Sequence, residues 1–202
     1  MRVLVGLLVL AGLVGTSACG TFTMGAAAIV GGQRIDVDSV DQTAQKVVRI
    51  DPTAQQKTNV IAGIVSMRVL DLLLVELAHR EGVSWTRGDV DSAIDKATRG
   101  QGVQSGEVYT IGLINQTKVE VPANAAKDYG RDLYIISVLI QRYGGASSPK
   151  AQQKLVNELT AVADDVGVRV NPRYGSFDPK NLTLRTDKNA LWTPAKGAAT
   201  GP

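Results

Sequence analysis

A mainly α-helical domain, with a small β element made from the two ends of the chain, is the fold predicted by three observations. The first is Asn59 to Arg80, a proline-free stretch whose apolar residues fall on every side of a helical wheel. It is long enough for about six helical turns. A helix apolar all round is either enclosed by neighbours or inserted in a membrane. Arg68, Asp71 and Glu76 lie inside this run, and each would be costly at bilayer depth, so enclosure is expected. The second observation is punctuation: Asp51-Pro52, Gly82, Gly144-Gly145 and Gly167 cut the chain into pieces of helical length. The third is the presence of short apolar or alternating runs, Ala26–Val30 and Val168–Val170, near opposite ends.

Taken in order, residues 1–18 stand outside the fold. Arg2 gives a minimal positive start, Val3 to Val14 is apolar, and Gly15 to Ala18 are small residues before Cys19. This is the layout of a secretory signal peptide, too short to span a bilayer. Cys19 is the one cysteine in the chain, so an intramolecular disulfide is impossible. A lone cysteine directly after small residues resembles the bacterial lipobox, in which the thiol is acylated and becomes the mature N-terminus. Thr16 departs from the Leu or Val usual three residues before that cysteine. The competing reading is an ordinary signal peptide with an incidental cysteine. Two or three acyl chains would anchor the protein stably on the outer face of the cytoplasmic membrane. Residues 19–25 then form a lipidated tether, residues 26–186 the domain, and residues 187–202, which lack periodicity, a loose tail.

Within the domain, Ala26–Val30 and Gln33–Ile35 flank Gly31-Gly32 and read as two strands around a tight turn. Asp36 is placed as the cap of a helix to about Ile50. Asp51-Pro52 breaks it, and Thr53 starts a second helix that carries the central stretch to Glu81. Gly82 is its C-terminal cap. Val83 to Trp85 is an extended link, and Thr86 with Asp89 is a capping-box-like start for a helix to about Arg99. Gly106 to Thr117 reads as helical from Val108, Ile111, Leu113 and Ile114, and Pro122 interrupts. Ala123 to Tyr143 is another helix. Ser148 and Pro149 open the last one, to about Val166. Val168–Val170 is a short strand and Leu182-Thr183-Leu184 a weaker one.

The chemistry is limited by composition. Lysines and arginines are interspersed with acids for a formal net charge of +3, and aromatic residues make up 4%; a nucleic-acid surface needs a concentrated basic face, so none is expected. His79 is the one histidine, near the end of the central helix, where a cation suits the helix dipole. With one histidine and one cysteine, zinc sites of the usual composition are nearly excluded. Asp36, Asp38 and Asp41 lack the glycine and distal glutamate of a calcium loop, and helix capping accounts for them. No phosphate-binding glycine loop, nucleophile elbow or acid–base–nucleophile set is visible. A non-enzymatic protein without cofactors or metals is expected.

The two ends carry a resemblance. Ile29-Val30-Gly31-Gly32-Gln33-Arg34-Ile35-Asp36, with Val40 following, looks like the opening of SurA-type and PrsA-type chaperones, with Asp36 where Ser or Thr is common. Val168 to Asp178 resembles the closing segment of the same family in lipoproteins of high-GC Gram-positive bacteria. The resemblance implies a SurA N-terminal-like helical domain that binds unfolded or exported polypeptide segments outside the cytoplasm. Relatives also carry a parvulin prolyl isomerase domain. Gly100 to Val121 leaves no room for one, so isomerase activity is not expected here.

A peptide-holding module needs apolar surface left bare. The candidates are Met67, Leu70 and Leu74 on the central helix and Tyr134, Ile135, Leu139 and Tyr143 on the helix after Pro122. Ordinary core packing of all seven is the competing reading. An envelope adaptor that uses the same surface for one folded partner is the rival to the chaperone. The sequence leaves the oligomeric state open.

Overall fold

A computed structural model describes residues 24–50, 60–98, 108–112, 118–122 and 126–185. It is mainly helical: α1 (Val37–Ile50), α2 (Val60–Arg80), α3 (Arg87–Thr98), α4 (Ala126–Arg142) and α5 (Pro149–Val166). The strands are β1 (Ala26–Val30), β2 (Gln33–Asp36), β3 (Val108–Gly112), β4 (Lys118–Pro122), β5 (Val168–Val170), β6 (Ser176–Asp178) and β7 (Thr183–Arg185), with a 3-10 turn at Pro172–Tyr174. The predicted signal peptide, Cys19, residues 53–59 at the expected start of the second helix, and the tail lie outside the described residues.

The chain ends meet as expected. β1 is central in the order β2-β1-β5, antiparallel to both neighbours. Ile29 pairs with Arg34 on one side and Arg169 on the other. Gly31 and Gly32 turn the first hairpin at φ 56° and 84°, positive values that a two-residue turn matched to strand twist requires. Asn171 extends the closure, its side-chain amide donating to the Ala26 carbonyl at 3.1 Å and its backbone N–H to Ala27 at 2.9 Å. Asp36 ends β2 and accepts from Arg34 Nε at 2.5 Å, while the Val37 N–H that opens α1 donates to the Gly25 carbonyl at 2.9 Å.

The central helix is the hub. α2 packs on α1, α4, α5, β1, β2, β4, β7 and the 3-10 turn, and from Val60 to Ala78 no residue is exposed. Ile64, Leu73, Leu74 and Leu77 of α2 meet Ile135 and Leu139 of α4 and Leu155 and Leu159 of α5 in one core. Each such side chain contributes about 1.5–3 kcal/mol on burial. Gly82 stops the helix at φ 62°, with the Gly82 N–H on His79 and the Val83 N–H on Ala78, the paired bonds of a Schellman cap. Gly144 and Gly145 end α4 in the same way, on Gln141 and Ile140. Ser148 caps α5, accepting from the Ala151 N–H at 3.3 Å, with Pro149 in the first turn.

One element differs from the expectation. Val108–Gly112 is a strand, and it pairs antiparallel with Lys118–Pro122 from Gly112↔Lys118 to Val108↔Pro122. The helical reading of Gly106 to Thr117 is therefore wrong over Val108–Gly112; Leu113–Thr117 lie outside the described residues. The reason is composition. Val108, Tyr109, Thr110 and Ile111 are β-branched or aromatic and favour a pleated surface, and Val119 and Val121 of the partner alternate with polar residues. Pro122 stands at the end of the ladder, where a missing donor is tolerated. β6, not anticipated, pairs with β7; their turn holds Leu182 at φ 52°.

Candidate functional site

The expected bare helix surface is absent. Met67 is 8% exposed, Leu70 4%, Leu74 1%, and Ile135 and Leu139 0%. These five are core, and the expectation that they hold peptide on an open surface is overturned. The physical reason is that α2 has neighbours on every side, so its all-round apolar pattern is consumed by α1, α4, α5 and the strands. Among the described residues the one exposed large hydrophobic side chain is Met24. Tyr134 and Tyr143 are half-buried, and the structure places them in different settings. Burial first, then the nearby Glu81 carboxylate, pushes the Tyr143 phenol up to about 12, and Lys154 Nζ stands 4.4 Å from its ring centre. Tyr134 lines an open groove.

That groove, of about 420 Å³, runs between α3 and α4, within the size range of ligand pockets. Asp89, Ser92, Ala93 and Lys96 form one wall and Leu133, Tyr134 and Ser137 the other. Two local devices hold α3 in place. Thr86 and Asp89 form the predicted capping box: the Thr86 N–H and hydroxyl donate to the Asp89 carboxylate at 2.8 and 2.7 Å, and the Asp89 N–H returns to Thr86 Oγ1 at 3.3 Å. The Thr86 hydroxyl, then its N–H, hold the Asp89 carboxyl below the usual carboxylate range. The second device is Gly130, buried on α4. A Cβ there would stand 2.9 Å from the Val90 carbonyl oxygen and 2.5 Å from Ile94 Cγ1, so only glycine lets the two helices approach this closely. A glycine inside an otherwise helical stretch marks such an approach, and was the available sequence signal for this wall.

Beside the groove, α2 and α4 share a charged cluster. Arg131 Nη2 pairs with the Asp71 carboxylate, Nη1 lies 3.9 Å from Asp128 and Nε 3.7 Å from Asp132. Arg68 reaches Asp128 at 3.5 Å. The Arg131 guanidinium is 5.9 Å from the Trp85 ring centre, and Trp85 stacks on His79 with ring centres 6.4 Å apart. Burial opposes the Arg131 charge, but its carboxylates, Asp71 first, outweigh burial and raise its pKa. Asp132 is 9% exposed. Burial, then the adjacent Asp71, push its carboxyl well above the usual aspartate value. Sequence reasoning singled out Arg68 and Asp71 as charges inside an apolar run without assigning partners. The need to pair a buried charge pointed to partners on another helix.

The carboxylates of the cluster lie within ion-pair distance of arginine, and His79 is stacked on an indole. Among the described residues no group of three His, Cys, Asp or Glu side chains could hold a metal ion, and no helix is long and apolar enough to cross a membrane. No family model, curated protein or solved structure matches the chain.

Proposed function

We propose that this chain is a lipid-anchored, extracytoplasmic, non-enzymatic binding protein of the SurA N-terminal type. In this reading it engages one partner through a short polypeptide segment laid between α3 and α4. The signal-peptide layout and Cys19 support the anchor, and the resemblance of the two chain ends supports the family. The observation that carries the choice of partner is the burial of α2: from Val60 to Ala78 nothing is exposed, so the central helix offers no broad apolar face. What remains is a groove of limited volume with mixed walls, where Leu133 and Ala93 supply apolar contact and Ser92, Ser137, Lys96 and Tyr134 can fix orientation. Such a site suits a short, specific segment of a folded partner. A chaperone holding many unfolded clients needs several hundred square ångströms of bare apolar surface, and its support is the resemblance alone.

The experiment is a membrane pull-down with the parent protein and Ala93→Arg, which fills the groove. A single stoichiometric partner that is lost with Ala93→Arg, while the far-ultraviolet circular dichroism is unchanged, supports the adaptor. Many unrelated clients together with suppressed aggregation of an unfolded test protein would replace it with the chaperone. A partner retained by Ala93→Arg overturns the groove as the binding site.

A further inference from the structure

The groove between α3 and α4 carries one charge of each sign, and only the positive one is unspent. Asp89 and Lys96 stand at opposite ends of the α3 wall, about 10 Å apart along the helix axis, with Ser92 and Ala93 between them. Asp89 is occupied within its own helix: its Oδ2 accepts from the Thr86 N–H at 2.8 Å and from the Thr86 hydroxyl at 2.7 Å. Lys96 is exposed and makes no ion pair or hydrogen bond among the described residues. The other aspartates of α3 do not line the groove, and Asp91 faces Arg87 at 3.8 Å. On the α4 wall, Ser137 Oγ donates to the Tyr134 carbonyl at 2.8 Å, which uses its proton. The Tyr134 phenol has no hydrogen-bond partner among the described residues. What meets a ligand is therefore an ammonium, which only donates, and the hydroxyls of Ser92 and Tyr134, which can donate. Between them lie the half-buried apolar side chains of Ala93 and Leu133.

Taking the groove as the polypeptide site, on which this inference rests, we propose that the segment it holds is acidic. An Asp or Glu carboxylate sits against Lys96, and a neighbouring apolar side chain lies on Ala93 and Leu133. A lone ammonium suits a single carboxylate. Phosphorylated segments draw clusters of arginine, and no arginine lines this groove. A basic segment would set its own charge against Lys96 and find in Asp89 a carboxylate already engaged by Thr86. An ion pair at an exposed position adds little affinity. What it supplies is choice, because the wrong charge beside Lys96 is repelled. The signature is thus in which sequences bind rather than in how tightly one of them does.

The test is selection of a displayed library of random peptides on the intact protein, on Lys96→Glu, on Lys96→Arg and on Ala93→Trp, which fills the groove without adding a charge. Sequences held by the parent and not by Ala93→Trp are groove ligands. Among them, Asp or Glu next to an apolar residue is expected to be enriched about two- to fivefold over the starting library. Lys96→Arg is expected to keep that enrichment, and Lys96→Glu to replace it with Lys or Arg. Groove ligands without an excess of acids, or the same acidic sequences selected by Lys96→Glu, overturn the acidic assignment and leave the groove as a polypeptide site. A selection that does not differ between the parent and Ala93→Trp overturns the groove itself, and the acidic assignment with it. Should Ala93→Trp fail to fold, amide shifts of Ser92, Ala93 and Ser137 on adding a selected peptide to the parent decide whether the groove is the site.

Discussion

Gly130 occupies the point where α3 and α4 cross, and it decides how close the two walls of the groove can come. In Gly130→Ala the new methyl meets the Val90 carbonyl oxygen at 2.9 Å. Ile94 can rotate away, but a backbone oxygen can move only with its helix. Overpacking of this kind costs about 1–3 kcal/mol, against about 1 kcal/mol gained from replacing a mid-helix glycine. The expected outcome is a net loss of stability, read as a lower melting temperature by about 2–4 °C per kcal/mol, with faster amide exchange concentrated in α3. Unchanged exchange in α3 would mean that the crossing is looser than described. The same crossing shows the limit of reading residues one at a time. Tyr134 stood out in the sequence as an aromatic on a helix, whereas Ser92, Ala93 and Ser137 did not, because small and hydroxylated side chains become a wall only once a neighbouring helix faces them.

Among the helices, α3 is the one tied mainly to a single neighbour, α4, so its own ends matter more than those of α2. Replacing the N-cap in Thr86→Ala is expected to cost about 1 kcal/mol, seen as increased exchange of α3 amides while those of α2 keep their protection. The Asp89 side of the box gives a pH dependence. Its carboxyl is held below the usual value by Thr86, so its contribution is present above the unfolded aspartate pKa and is lost as pH falls through the depressed folded value. α3 should therefore loosen at acid pH in the parent, and Asp89→Asn should flatten that dependence. These ends were legible because capping is chemistry between residues three apart. The helix-ending glycines and Ser148-Pro149 were legible for the same reason. The β3–β4 hairpin was not: its strands stabilise each other by pairing, and the spacing of Val108 and Ile111 fits a helix equally well when each strand is read without its partner. The apolar surface of α2 was misjudged by a related failure. Periodicity shows that a helix is apolar all round, but whether each side finds a cover is settled by elements distant in sequence.

At the scale of the whole molecule, the proposed anchor and the fold meet at the start of β1, which follows Gly25 directly. If Cys19 carries lipid, Cys19→Ser should release the protein from membranes into the soluble fraction with its circular dichroism unchanged. Membrane attachment that survives the substitution would remove the lipid anchor from the proposal. The fold class was legible at this scale because the β1–β5 pairing joins two alternating runs whose flanking glycines and helices were already placed. The charged cluster was only half legible: Asp71 announced a buried charge, but Arg131 and Asp132 look like any charged pair on a helix surface until α4 is laid against α2.

Asn171 donates to the Ala26 carbonyl across 145 residues of chain, and β5 flanks β1 next to that bond. A ribosome makes the first of these partners long before the last. Until the residues near 170 are available, β1 lacks one of its two neighbours and the core beneath it stays open on that side. Assembly is thus held back by the arrival of the C-terminal portion, and a copy cut short after Gly167 would be left with an unclosed seam, ready prey for proteases.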